Sequence, residues 1–125
     1  MTVLWINGAI RPAAEATVSA LDHGLTVGDG VFETVKVVRG RPFALSRHLT
    51  RLVASARGLG LPEPDLDLVR AAVTETLAAR PDTDDARLRI TYTGGTAPLG
   101  SDRGDTGPTL VIGATDLSPR GPSAA

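Results

Sequence analysis

The sequence contains no cysteine, which excludes a disulfide framework and any thiolate metal site. Histidine occurs only at His23 and His48, without the paired spacing a zinc site uses, so no metal is expected. Aromatic residues make up 3% of the 125 positions while hydrophobic residues make up 42%. One ordinary domain with a core of Val, Leu, Ile and Ala follows. There is no excess of basic charge: the formal net charge is -1 and no run of like charge occurs, which argues against a nucleic-acid partner. No apolar stretch approaches the length of about 20 residues that a membrane helix needs. The opening MTVLWINGAI lacks the basic region and long apolar run of a signal peptide. The expectation is a soluble, cytoplasmic protein without a membrane partner. Lysine is nearly missing as well: Lys36 is the only one, and arginine supplies the other twelve of the 13 basic residues.

What is present reads as short strands and two helices. Val3–Ile6 and Ala9–Arg11 are brief apolar runs separated by Asn7-Gly8, a pair suited to the positive φ of a tight hairpin turn, and Pro12 ends the second run. Residues 13–26 form a weakly patterned connection. Val31–Val38 is rich in β-branched residues and reads as a strand, with Arg39-Gly40 as a second turn and Arg41–Ala44 as its returning partner. Alternation places Val31, Glu33, Val35 and Val37 on a face suited to packing under helices. Phe32, Thr34, Lys36 and Val38 fall on the other, which suits a pocket wall. From spacing alone, Lys36 reads first as a solvent-facing residue.

Ser46 is the expected N-cap of a helix running to about Arg57, with Leu45, Leu49, Leu52, Val53 and Ala56 as its buried stripe. His48, Arg51 and Ser55 share an adjacent face. Gly58, Gly60 and Pro62 stop that helix, and Asp65 or Asp67 caps a second one through Ala79, closed by Pro81. Asp82–Asp85 reads as a loop. Arg87–Thr93 alternates strictly, so it is a half-buried strand, and Thr109–Ala114 is one more strand beyond a loop of Gly, Pro, Asp and Thr. Hairpins, then two helices, then two strands predict an α+β fold with an antiparallel sheet and both helices packed on one face.

Three blocks then stand out in order: Trp5-Ile6-Asn7-Gly8; Leu25-Thr26-Val27-Gly28-Asp29-Gly30-Val31-Phe32-Glu33-Thr34-Val35-Lys36; and His48-Leu49-Thr50-Arg51-Leu52 with Ser55. Together they resemble the class IV aminotransferases, the fold-type IV pyridoxal 5'-phosphate (PLP) enzymes. That family includes branched-chain aminotransferases, D-amino acid aminotransferases and 4-amino-4-deoxychorismate lyase. The resemblance covers residues 3–117. It implies that residues 1–117 are the small N-terminal domain, that 118–125 begin the interdomain linker, and that the Schiff-base lysine lies in a larger C-terminal domain outside this sequence. Lys36 is not that lysine, so no catalytic residue is assigned here and the chain alone is expected to be inactive.

The resemblance also implies roles. Arg51 matches the arginine that grips the PLP phosphate, a task suited to a guanidinium's bidentate, charge-assisted bonds. Without the resemblance Arg51 reads as a surface arginine on an amphipathic helix. Phe32, Thr34 and Lys36 match the strand lining the substrate side of the pocket. Arg89 lies on the strand that carries a carboxylate-contacting arginine in branched-chain enzymes, and an outward-facing polar strand residue is an equal reading. His48 reads as a packed, hydrogen-bonded helix histidine, and Gly28-Asp29-Gly30 as backbone geometry. Leu99 stands where D-amino acid aminotransferases place a carboxylate-trapping arginine. Residues 94–104 (GGTAPLGSDRG) look like the lyase-like proteins. The implied activity is a lyase that eliminates pyruvate to give 4-aminobenzoate. The alternatives are an aminotransferase and, outside enzymology, a standalone interaction module. A small-molecule amino substrate, a homodimer and self-association of this chain complete the expectations.

Overall fold

The computed structural model describes residues 2–80 and 84–117. The first apolar run is strand β1 (Thr2–Ile6) and its return is β2 (Ala9–Arg11), paired antiparallel with Ile6 opposite Ala9. Asn7 and Gly8 join them at φ 43° and 109°, the two positive angles the dipeptide leads one to expect. The weakly patterned connection that follows is more ordered than its sequence suggests. It holds a 3₁₀ turn at Ala13–Glu15 and a one-turn helix α1 (His23–Thr26), whose N-cap Asp22 accepts from the Gly24 backbone N–H at 2.8 Å.

The valine-rich segment forms β3 (Gly30–Val38). Its partner β4 is only Arg41–Pro42, shorter than the predicted Arg41–Ala44, because Ala44 turns into the left-handed region at φ 54° to redirect the chain. Helix α2 (Leu45–Gly58) therefore has Ala44 as its N-cap position and no side-chain cap. Ser46, expected to cap it, lies inside the first turn, where its hydroxyl accepts from Arg70 at 3.0 Å. Helix α3 (Leu66–Ala78) is capped by Asp65, which accepts from the backbone N–H groups of Asp67 and Leu68. Strands β5 (Ala86–Thr93) and β6 (Thr109–Asp116) complete the sheet. The predicted roles of Pro81, of part of the Asp82–Asp85 loop and of the 118–125 linker lie outside the described residues.

All strand pairs are antiparallel, in the order β2-β1-β6-β5-β3-β4. Period-2 alternation sends Trp5, Val35, Val37, Leu88, Ile90 and Ile112 to one face. There they meet Leu49, Leu52 and Ala56 of α2 and Val69, Ala72 and Val73 of α3, all buried. α2 packs over β3, whereas α3 packs over β1 and β6. The Trp5 indole donates to Glu75 of α3 at 2.6 Å, which satisfies the one polar atom of the largest core residue. The α+β fold with both helices on one face is thus the fold of this chain. The opposite face carries no helical layer among the described residues; only the segment around residues 18–30 crosses one end of it.

Candidate functional site

Strand β3 divides the expected site residues between two faces. Phe32, Thr34 and Lys36 point to the open face, and Arg89 joins them there, because Thr34 lies opposite Arg89 in the β3–β5 register. The Arg89 guanidinium stacks over the Phe32 ring, 3.9 Å from its centroid, a contact that holds the charge in place while leaving its N–H edge outward. Beside this pair lies a concavity of about 400 Å³, lined by Val18, Leu25, Phe32, Thr91 and Val111 with the buried Thr93 and Thr109 at its end. Asp22 closes that end. It is 3% exposed, and its carboxylate accepts from the hydroxyls of Thr93 at 2.7 Å and Thr109 at 2.6 Å.

Arg51 stands on the helix side of the same strand. Its Nε lies 3.7 Å from Oε1 of Glu33, which points inward from β3 and is 5% exposed. His48, one helical turn earlier on α2, donates from Nδ1 to the same oxygen at 2.8 Å. The packed, hydrogen-bonded histidine expected at position 48 is what the structure contains. Arg51 itself is 73% exposed, and among the described residues no hydrogen bond or ion pair engages its two terminal nitrogens. A guanidinium held at one nitrogen and open at the other two is suited to an anion such as a phosphate. The donor set therefore fits the PLP phosphate.

No single concavity holds both groups: the depression at Arg51 is lined by Ser46, Arg47 and Thr50, and the open-face hollow does not include Arg51. What they share is the edge of β3. β4 pairs only with Val37 and Val38, so the outer edge of β3 from Gly30 to Val35 has no strand partner among the described residues. A ligand lying along that edge meets Arg51 on one side and the Phe32–Lys36 face on the other.

Two residues escaped the sequence reading. Alternation puts Glu33 on the packing face in a row with valines, and a lone carboxylate in a buried aliphatic row needs a buried partner, which is a usable signal. In sequence, Asp29 belongs to a Gly-Asp-Gly stretch that reads as backbone geometry. Its side chain instead receives Nε and Nη2 of Arg103 at 2.7 and 2.8 Å, while Arg103 also donates to the carbonyls of Gly60 and Leu59. The hydrogen bonds from Arg103 hold the Asp29 carboxyl below the usual carboxylate range. No local pattern announces a pair 74 positions apart.

Known proteins resemble this chain over most of its length. The amino-transferase class IV family model matches residues 30–125. A bifunctional aminodeoxychorismate lyase / D-amino acid transaminase of Mycobacterium tuberculosis is 39% identical over 119 residues, 90% of this chain and 41% of that protein. Among solved structures, a PLP-bound hypothetical aminotransferase from M. tuberculosis superposes with a TM-score of 0.75 at 32% identity, over 94% of this chain and 41% of that one. The fold-type IV transaminase CpuTA1 from Curtobacterium pusillum does so with a TM-score of 0.82 at 28% identity, over 95% and 44%. The chain spans about two-fifths of the length of the curated relatives it matches. The matched part corresponds to the small N-terminal domain of the fold-type IV enzymes, whose family is PLP-dependent. This chain belongs to the class IV aminotransferase family.

Proposed function

We propose that this chain is the small domain of a homodimeric PLP enzyme whose activity is pyruvate elimination from 4-amino-4-deoxychorismate, and that it supplies the phosphate grip and one wall of the substrate pocket. Successive residues of β3 carry the reading: Glu33 anchors Arg51 on one side while Phe32 and Thr34 present Arg89 on the other. Arg51 would hold the cofactor phosphate through its free terminal nitrogens, with Glu33 and His48 fixing its orientation. Arg89 would take a substrate carboxylate, Thr34 would hydrogen-bond the substrate, and Phe32 would bound the pocket. PLP, when bound, acts as the electron sink for the carbon bearing the substrate amine. The covalent anchor for PLP is assigned to sequence outside these 125 residues, so the chain alone is expected to be inactive.

The lyase is preferred over a D-amino acid aminotransferase because of the loop at residues 94–108. Leu99, at the position expected to carry a trapping arginine, is an uncharged side chain 77% exposed. The loop's single arginine, Arg103, is occupied by Asp29. A branched-chain aminotransferase is the second reading, favoured by the placement of Arg89. The test is to give the full-length protein 4-amino-4-deoxychorismate and, separately, leucine or D-alanine with 2-oxoglutarate. Pyruvate with 4-aminobenzoate supports the lyase. Glutamate formation in the 2-oxoglutarate arm, with no 4-aminobenzoate formed from 4-amino-4-deoxychorismate, overturns it in favour of the aminotransferase.

A further inference from the structure

Residues 94–108 leave β5 and return to β6, and the two halves of this loop are held differently. The first half is tied to the segment before β3. Gly95 O accepts from the His23 backbone N–H at 2.8 Å, the Ala97 N–H donates to Leu21 O at 3.2 Å, and His23 Nε2 lies 3.2 Å from Pro98 O. Residues 99–107 are exposed. Among the described residues, every hydrogen bond that ties them to another part of the chain comes from one side chain, Arg103. The Thr106 hydroxyl only closes the loop on itself, at Thr96 O.

The Arg103 guanidinium joins three segments. Nε and Nη2 fork onto the two Asp29 oxygens, while Nη1 donates to Gly60 O and Nη2 to Leu59 O, both at 2.7 Å. A planar group with donors in fixed directions suits a carboxylate and two carbonyls at once. Leu59 is the C-cap of α2, where carbonyls lack intrahelical donors. Asp29 sits between Gly28 and Gly30, which line the open-face hollow together with Thr93 and Thr109, the residues that bracket the loop. Gly94 leaves the space for the pair, since a β-carbon there would collide with Asp29 Oδ2. Gly104 lets the chain after Arg103 rest on the Thr96 carbonyl, which a β-carbon would approach to 2.7 Å. We infer that Arg103 is a positioning residue of the substrate side: it fixes residues 99–107 and the rim of the hollow at Gly28–Gly30 against the end of α2, so substrate binding depends on it although it does not line the hollow. Arg51 is insulated from this tie, because it lies about two turns back along α2 and has its own mount on Glu33. The inference rests on the proposed PLP-enzyme reading and deepens its substrate side.

Three variants of the full-length protein test this: Arg103→Gln, Arg103→Lys, and Gly94→Ala, which displaces Asp29 while leaving the arginine in place. The kinetic arm uses whichever of 4-amino-4-deoxychorismate, leucine and D-alanine the wild type turns over. Arg103→Gln and Gly94→Ala should each raise KM at least about tenfold, with kcat within about threefold and PLP affinity within about twofold of wild type. Arg103→Lys keeps a charge beside Asp29 but loses the fork, so it should fall between. Hydrogen exchange on the same samples reads the tie without turnover. In Arg103→Gln, residues 99–107 and the last turn of α2 should exchange at least about tenfold faster, the scale of a lost charge-assisted bond, with residues 48–52 unchanged. An unchanged KM in Arg103→Gln overturns the inference, as does faster exchange confined to the loop, or a loss of PLP affinity that matches the rise in KM. A wild type that takes up no PLP contradicts the proposed function instead, and the exchange result then decides the tie alone.

Discussion

Arg51 Nε and Glu33 Oε1 face each other at 3.7 Å across the boundary between α2 and β3, joining an exposed guanidinium to a buried carboxylate. The ion pair is asymmetric. Glu33 also accepts from His48 and is held by the packing around it, so it acts as a fixed mount, while Arg51 keeps two nitrogens free for a ligand. Glu33→Gln should therefore weaken PLP binding by the full-length protein about tenfold even though Glu33 touches no ligand. Combined with Arg51→Ala it should add little, because both substitutions act through one guanidinium. Fluorescence titration of the single and double variants checks this; fully additive losses would show that Glu33 acts independently of Arg51.

Ala44 sits at φ 54° and ψ 37°, a left-handed conformation that costs a residue with a β-carbon about 1 kcal/mol. Ala44→Gly removes that cost but loosens the unfolded chain, so a net gain of roughly 0.5 kcal/mol is expected. Urea unfolding of the 125-residue chain measures it, and a destabilised variant would mean that the Ala44 methyl makes contacts worth more than the strain.

The Asp29–Arg103 pair should make the loop at residues 94–108 acid-sensitive. The folded Asp29 carboxyl titrates below its unfolded value, chiefly through the hydrogen bonds from Arg103. Its contribution is present above the unfolded carboxylate range, near pH 4, and is lost as pH falls through the lower folded value. Amide exchange in residues 94–108 should thus stay slow at pH 5 and accelerate only below about pH 4. Asp29→Asn should give fast exchange in this loop at every pH. Protection independent of both changes would assign the loop's order to Gly95, which at φ 84° packs against the Gly107 carbonyl.

Much of this architecture was legible because it is local. Asn7-Gly8 states its turn, Asp65 its cap, and the alternation of Arg87–Thr93 its buried face. Even the division of Phe32, Thr34 and Lys36 from Glu33 follows from period-2 alternation. The limits appear where distant segments meet. Ser46 resembles an N-cap by type and position, but its hydroxyl is engaged by Arg70 of another helix and the cap falls on Ala44. Asp22 closes its bonds with Thr93 and Thr109 from two other strands, so its short helix leaves no apolar periodicity to read. Arg51 illustrates both sides: its helix and its neighbour His48 follow from spacing, whereas its mount on Glu33 required the pairing of α2 with β3.

In the proposed function, Arg51 grips the phosphate of PLP. Its most direct test is the equilibrium affinity of the full-length protein for PLP, wild type against Arg51→Ala, with Arg51→Lys as the variant that keeps the charge but loses the bidentate fork. Loss of a charge-assisted contact should cost about 1.5–3 kcal/mol, with Arg51→Lys in between. Affinity unchanged in Arg51→Ala would contradict the claim.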